Sequence, residues 1–283
     1  MTTGSGERFT YLRSTGVTVL SATMTEFAYK RHAHEDYALG VTLRGLQEYH
    51  LEGRLCRSRP GGVILFNPEE VHDGCSADRT SLEYVMVYVP RPLFAEVSGM
   101  RGPVGFEAPI VYDRALAARI LKLARGVAAG RDEMWTSELL LDMVHAALRG
   151  RTGRTARPLM SGPAPGRSAG VRRAMDMMRD AAGGMTGDGT GDGADGRLRL
   201  DDLSREVGMS KYHFIRHFKA ATGISPYQFF LNCKVEHAKR LLESEGDVYA
   251  AVAQCGFCDL SHLNRHFKRI YGVTASEYAH IRF

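Results

Sequence analysis

The chain has 283 residues, with 37 Lys and Arg against 32 Asp and Glu for a net charge of +5, and five scattered cysteines. That length suits two domains, each burying a core of its own, better than one. No run approaches the ~18 apolar residues of a spanning helix, the N-terminus lacks a secretory apolar stretch, and an odd number of cysteines makes no disulfide framework; a soluble, cytoplasmic protein with no membrane partner is expected.

The strand pattern comes first along the chain. From Val17 to Pro90 the segments VTVLSATM, YALGVTL, LQEYHLEG, GGVILF and LEYVMVYV are short, rich in Val, Leu and Tyr, and separated by glycine-containing turns. Such spacing predicts a small antiparallel barrel or sandwich. The period then changes. Residues 113–129 and 133–149 repeat apolar side chains every three or four positions and should form two amphipathic helices. Ala117, Ile120, Leu121 and Ala124 share one stripe, and Leu140, Val144, Ala147 and Leu148 another. Each stripe either packs on its own domain or meets a second copy of the chain in a homodimer.

Residues 150–170, rich in Gly, Pro, Arg and Ser, have no apolar period and read as a flexible linker. The division is therefore residues 1–150, a linker at 151–170, and residues 171–283. After a helix carrying Val171, Met175 and Met178 comes GGMTGDGTGDGADGR at 183–197. It lacks the glutamate that ends a calcium loop and holds too many glycines, so a disordered surface insertion is expected.

The last third contains a repeat. RHFK occurs at Arg216 and again at Arg265, and residues 203–225 align with 252–274, bringing Gly223 onto Gly272 and Ser225 onto Thr274. In the first copy LDDLSREV is a short helix, GMS a turn ending in the N-cap Ser210, and KYHFIRHFKAAT a second helix. Phe214 and Phe218 should face inward, while Lys211, Tyr212, Ile215, Arg216 and Lys219 project outward. The second copy runs through VYAAVAQC, a GFCD turn with Asp259 as N-cap, and LSHLNRHFKRIY, with Leu263 and Phe267 inward. This is the anatomy of two helix-turn-helix units, whose second helices enter the major groove. Between them Ser225 can cap and Pro226 can open a helix of about 18 residues, a strut of roughly 27 Å. Two reading helices held by such a strut can reach successive major grooves, about 34 Å apart. Charge agrees: residues 1–150 carry 17 Lys and Arg against 18 Asp and Glu, whereas residues 197–283 carry 13 against 9 and six of the 11 histidines. Double-stranded DNA is the expected partner. Cys255 and Cys258 have C-x-x-C spacing, but no second pair follows at zinc-ribbon distance, so two reduced, partly buried thiols are expected.

Residues 198–281 resemble the tandem helix-turn-helix domain of AraC/XylS-type transcription regulators. The resemblance implies base-reading roles for Lys211, Tyr212, Ile215 and Arg216, and for Leu260, Ser261, Asn264 and Arg265. It places Lys219 and Lys268 against phosphate oxygens. Arg216 is the foremost candidate for a guanine, since a guanidinium can bond O6 and N7 together. Three features depart from the pattern: the Gly/Asp insertion, Leu260 where a polar residue is common, and Ala275 in place of proline.

Around residues 15–95, HAHEDY and RPGGVILFNPEEVHDG resemble the cupin-like sensor barrel of the same family. The implied fold class is α+β in two domains: a cupin-like antiparallel β-barrel plus helices, then an all-α tandem helix-turn-helix. The implied function is a transcriptional regulator, not an enzyme and without a cofactor, whose DNA binding responds to a small-molecule effector. RNA polymerase is a further implied partner. His32, His34, Tyr37, Tyr49 and His72 are candidate polar groups of the effector pocket, each with a structural role as the alternative. Cupin enzymes set a metal on an H-x-H pair, a glutamate and a later histidine; His32, His34 and His72 could serve, but the glutamate position falls at Ala38 to Leu39, although Glu35 is nearby. The rival reading is a cupin metalloenzyme carrying an accessory DNA-binding module.

Overall fold

The computed structural model describes residues 6–14, 16–51, 53–78, 80–100, 104–149, 169–183 and 198–281. It divides into two compact units, Met1–Gly162 with Ile281–Phe283, and Pro163–His280. Residues 151–168 of the expected linker and 184–197 of the expected insertion lie outside the described residues, while Ala169 and Gly170 already open a helix.

The first unit is a double-layered antiparallel β structure with helices against one layer. One sheet has the order β1 (Arg8–Ser14), β2 (Val17–Met24), β9 (Leu82–Val89), β4 (Tyr37–Arg44), β7 (Val63–Phe66) and β10 (Ile110–Val111). The other has the order β3 (Ala28–His32), β8 (His72–Ser76), β5 (Gln47–Leu51) and β6 (Arg54–Ser58). Alternation along the strands separates two interiors. Val19, Leu39, Val41, Val63, Val85 and Val87 join a core with Phe94 of α1 (Arg91–Ser98), Ile120 and Leu123 of α2 (Arg114–Ala128), and Met143 and Val144 of α3 (Glu133–Arg149). Each such side chain, when fully buried, contributes about 1.5–3 kcal/mol. The intervening residues Thr42, Phe66 and Tyr84 instead contact Ser58, His72 and Tyr29 of the second sheet.

The two helices after the barrel begin where their caps are. Asp113 accepts from the N–H groups of Ala115 and Leu116, and Asp132 accepts from Trp135 N–H, so each carboxylate meets donors that the first turn leaves unsatisfied. The stripes formed by Ala117, Ile120 and Ala124 and by Leu140, Val144 and Ala147 lie in the domain's own core, with Leu121 and Leu148 partly buried against it. They are thus engaged within the chain. At Gly126 the helices come so close that a Cβ would overlap the Trp135 ring.

The second unit is helical: α4 (Ala169–Gly183), α5 (Leu200–Glu206), α6 (Lys211–Thr222), α7 (Pro226–Glu245), α8 (Val248–Gln254), α9 (Leu260–Tyr271) and α10 (Ala275–Ala279). The 20 residues of α7 span about 30 Å. This helix touches α4, α6, α8, α9 and α10. Ser225 accepts from Gln228 N–H at 3.2 Å ahead of Pro226, and Gly246, in the left-handed region at φ 70°, ends the strut. Phe214 and Phe218 of α6 and Leu263 and Phe267 of α9 are fully buried, as their spacing predicts. Ser210 has extended backbone at the start of α6 but its hydroxyl makes no cap bond, whereas Asp259 accepts from His262 N–H at 2.6 Å. Inside, Tyr271 O–H and Tyr278 O–H donate to the carboxylates of Glu236 and Glu243, and Lys239 Nζ lies 3.7 and 3.8 Å from those same two groups. Each buried charge there has an opposite charge beside it.

Candidate functional site

On α6, a turn of 100° per residue puts Arg216 almost opposite the buried Phe214 and Phe218, with Tyr212, His213, Lys219 and Ala220 to either side. Those five residues and Lys211 are all exposed, Tyr212 at 78%. Lys211 Nζ lies 2.7 Å from Asp201 Oδ1 of α5, a half-exposed pair of modest strength that a phosphate can displace. Ile215 stands elsewhere. It is half-buried and lines an apolar cavity against α4, α5 and α7, off the exposed face that the sequence pattern gave it.

The second helix repeats this arrangement with one substitution of role. Ser261, Arg265, Lys268 and Arg269 are exposed on α9, and Leu260 is half-buried at its first position. Asn264, in the register of Ile215, has its amide bonded to Ser276 of α10, so the expected base reader is held by its own domain. Sequence reasoning passed over four imidazoles. His213 and His217 have ring centres 6.3 Å apart, and His262 and His266 4.9 Å apart, flanking Arg216 and Arg265 respectively. Their i, i+4 spacing beside each RHFK run was the available signal. Burial first, then neighbouring His262, Arg269 and Arg265, lower the pKa of His266. Cys255 is buried at the end of α8 with its thiol pushed up to about 12 by burial, so it is held protonated, and Cys258 is exposed.

In the barrel unit the interior between the sheets gathers four of the five candidate residues. His32 and His72 rings lie 4.5 Å apart, His34 and His72 5.0 Å, and His72 stacks on Phe66 at 4.0 Å. Tyr49 meets the same Phe66 ring edge-on at 5.0 Å, and its O–H donates to the Pro109 carbonyl. Tyr37 does not join them. It lies on the other face of β4, stacked on Phe94 at 4.0 Å, and donates to the Val104 carbonyl at 2.6 Å. An odd position on β4 faces the helices, so Tyr37 cannot also face the second sheet.

Each histidine Nδ1–H donates to a backbone carbonyl, of Lys30, Asp36 and Glu70 in turn, at 2.7 to 2.8 Å. A carbonyl only accepts, so each ring carries a proton on Nδ1, which leaves Nε2 as the nitrogen that could meet a ligand. That donor set is what a cupin metal would require. Yet the three rings are tilted or edge-on to one another, His72 stacks on Phe66, and among the described residues no group of three His, Cys, Asp or Glu side chains is arranged to hold a metal ion. Tyr29 and Tyr84, whose hydroxyls are 2.7 Å apart, and Tyr88, edge-on to His34, belong to the same cluster. Burial raises the Tyr29 and Tyr84 phenols, and burial followed by His32 and His34 lowers His72 well below the ordinary imidazole value. Phenols and imidazole are thus neutral at pH 7, and the site offers hydrogen bonds and aromatic faces.

Known proteins agree with both halves. Residues 14–144 match the AraC-like ligand binding domain, and residues 203–280 match a Helix-turn-helix domain. The chain is 26% identical over 239 residues to the uncharacterized HTH-type transcriptional regulator YbfI of Bacillus subtilis, covering 83% of this chain and 81% of that protein. It is 26% identical over 250 residues to the arabinose operon regulatory protein of Salmonella typhimurium, covering 86% and 83%. In three dimensions it is similar to ToxT from Vibrio cholerae, with a TM-score of 0.59 at 12% identity over 94% of this chain and 98% of that one. No helix among the described residues is long and apolar enough to cross a membrane. The chain belongs to the AraC family of transcriptional regulators, joining a cupin-like ligand-binding domain to a DNA-binding tandem helix-turn-helix.

Proposed function

We propose that the regulator reads its operator through Tyr212 and Arg216 of α6 and through Ser261 and Arg265 of α9, with Lys211, Lys219 and Lys268 on phosphate oxygens and Leu260 against base methyl groups. The observation that carries this is the matched exposure of Arg216 and Arg265, each opposite a pair of buried apolar side chains, on helices joined by one long strut. In direct readout a guanidinium in that setting takes a guanine. Cleavage protection with the full chain tests it. Two protected major-groove segments per chain are expected, the one assigned to α6 vanishing in Arg216→Ala; an unchanged footprint in that variant sinks the assignment.

Effector binding by the barrel of residues 1–150 is the second part. A small molecule enters among His32, His34, Tyr49 and His72, and its binding alters how two residue 171–283 domains are presented across the 151–170 linker of a homodimer. The neutral His72 imidazole and the neutral phenols support an uncharged or weakly polar effector. A solved ToxT structure carries an unsaturated fatty acid, which supports a small-molecule role for this architecture. The reading makes the protein a cytoplasmic regulator that works beside RNA polymerase and catalyses no reaction. Gel-shift titration decides it: an effector that changes neither affinity nor occupied sites removes the coupling.

A further inference from the structure

The DNA-binding unit has an apolar pocket of its own. Between α4, α5, α6 and α7 is a half-open apolar pocket of about 310 Å³, lined by Met178, Leu203, Ile215, Pro226 and Phe230, with the exposed Tyr227 at its rim and Leu198, Leu200 and Ser225 completing it. We propose that it binds a small uncharged aromatic or branched aliphatic molecule, and that occupancy is linked to DNA binding through α6.

Three observations carry this. Volume comes first. Small-molecule pockets are concave, mostly apolar and begin near 300 Å³. This one reaches that size, whereas a helix about 10 Å across has no room in it. Chemistry comes second. None of the nine lining residues carries a charge, so an ionised ligand would lose its hydration without compensation. The wall's side-chain hydroxyls are those of Tyr227 and Ser225, and Ser225 Oγ already accepts from Gln228 N–H. The Ser225 O–H remains free to donate, so these two hydroxyls offer a few hydrogen bonds in a small part of an otherwise apolar wall.

Position is the third observation. Leu203 belongs to the first helix of the first helix-turn-helix, Ile215 to its reading helix one residue before Arg216, and Pro226 to the strut's first residue. A ligand filling this space therefore touches every element that fixes the aim of Arg216. A packed interior transmits strain, so a guest that favours one seating of α6 shifts DNA affinity by its differential binding.

N-phenyl-1-naphthylamine, a neutral diaryl probe that fluoresces in apolar surroundings, tests the site in the full-length protein. Saturable enhancement at one probe per chain is expected, and it should disappear in Leu200→Trp and Leu198→Trp, whose indoles occupy the space. Both positions are half-buried and Leu198 precedes the helix, so a chain with the native melting midpoint remains to decide the matter. In gel shifts, saturating probe should change operator affinity about fivefold in the wild type and leave the filled variants unmoved. A number of probes bound per chain that is unchanged in both tryptophan variants, or no saturable enhancement at all, overturns the site. Equal operator affinity with and without probe overturns its link to DNA.

Discussion

Asn264 and Ser276 exchange two hydrogen bonds across α9 and α10, Ser276 N–H donating to Oδ1 at 3.3 Å and Nδ2 donating to Ser276 Oγ at 3.4 Å. The pair sits at the register where α6 carries Ile215, which lines the cavity described above. In both copies of the repeat, therefore, this position fastens the reading helix to its own domain. Asn264→Ala should lower stability by about 1 kcal/mol, a fall of a few degrees in the melting midpoint, and leave base preference intact. Arg265→Ala should do the reverse. Thermal melts beside selection from randomised operators separate the two, and a relaxed base preference in Asn264→Ala would restore it as a reader.

Arg216 and Lys219 share the exposed face of α6 but should differ in what their loss does. Arg216→Ala is expected to cost about 1–3 kcal/mol on the cognate operator and to relax specificity at one base pair. Lys219→Ala should weaken all sequences alike and reduce the slope of log affinity against log salt by about 1. Salt titrations on cognate and substituted operators check both. Equal slopes for wild type and Lys219→Ala would remove the phosphate contact.

The parts legible in the sequence were those with a strong period or a local cap. Of the caps read from the sequence, Ser225 and Asp259 mark helix starts that hydrogen bonds confirm while Ser210 makes no cap bond, and Phe214 with Phe218 fixed the buried face of α6. Strands passed over were β1, which alternates at Phe9 and Tyr11 but lies before the recognised run, β3, β6 and β8, the last two reading RLCRS and HDGCS, and the two-residue β10, with α1 between. Their pairing depends on partners distant in the chain, which no local pattern carries. Tyr37 and Tyr49 looked equivalent as pocket phenols. Strand parity separates them, and which face meets the helices is settled only once the sheets assemble. Asn264 was a polar residue on a half-exposed helix, and its engagement by Ser276 depends on where α10 folds back.

His72 should make the barrel acid-labile. Burial, with His32 and His34 beside it, holds its folded pKa well below 6.5, while the unfolded chain titrates near that value. Below about pH 6.5 the unfolded state takes up a proton that the folded state refuses, so stability declines with falling pH until the folded pKa is reached. Above pH 7 neither state is protonated and the term vanishes. Each such group contributes at most about 1.4 kcal/mol per pH unit. Urea denaturation at pH 7.5, 6.0 and 5.0 should show the decline, with a shallower slope in His72→Gln; parallel slopes would place the acid sensitivity elsewhere.

Gly126 offers a test of sign. Replacing glycine by alanine inside a helix ordinarily stabilises, by up to about 1 kcal/mol, because the unfolded chain loses freedom. Here the added Cβ overlaps the Trp135 ring, which lies under Lys122 and Arg131 at 6.0 and 5.7 Å from their charged ends. Gly126→Ala must therefore push the ring outward or part α2 from α3, at a cost of about 1–3 kcal/mol that exceeds the gain. Trp135 is the chain's one tryptophan, so its emission reports on this contact alone. A red shift together with a lower melting midpoint is expected. In a Trp135→Leu background the smaller side chain leaves space for the methyl group, and the same substitution should recover the ordinary stabilising sign. A midpoint raised in the native background with unchanged emission would mean that the helices stand further apart at Gly126 than the ring contact implies.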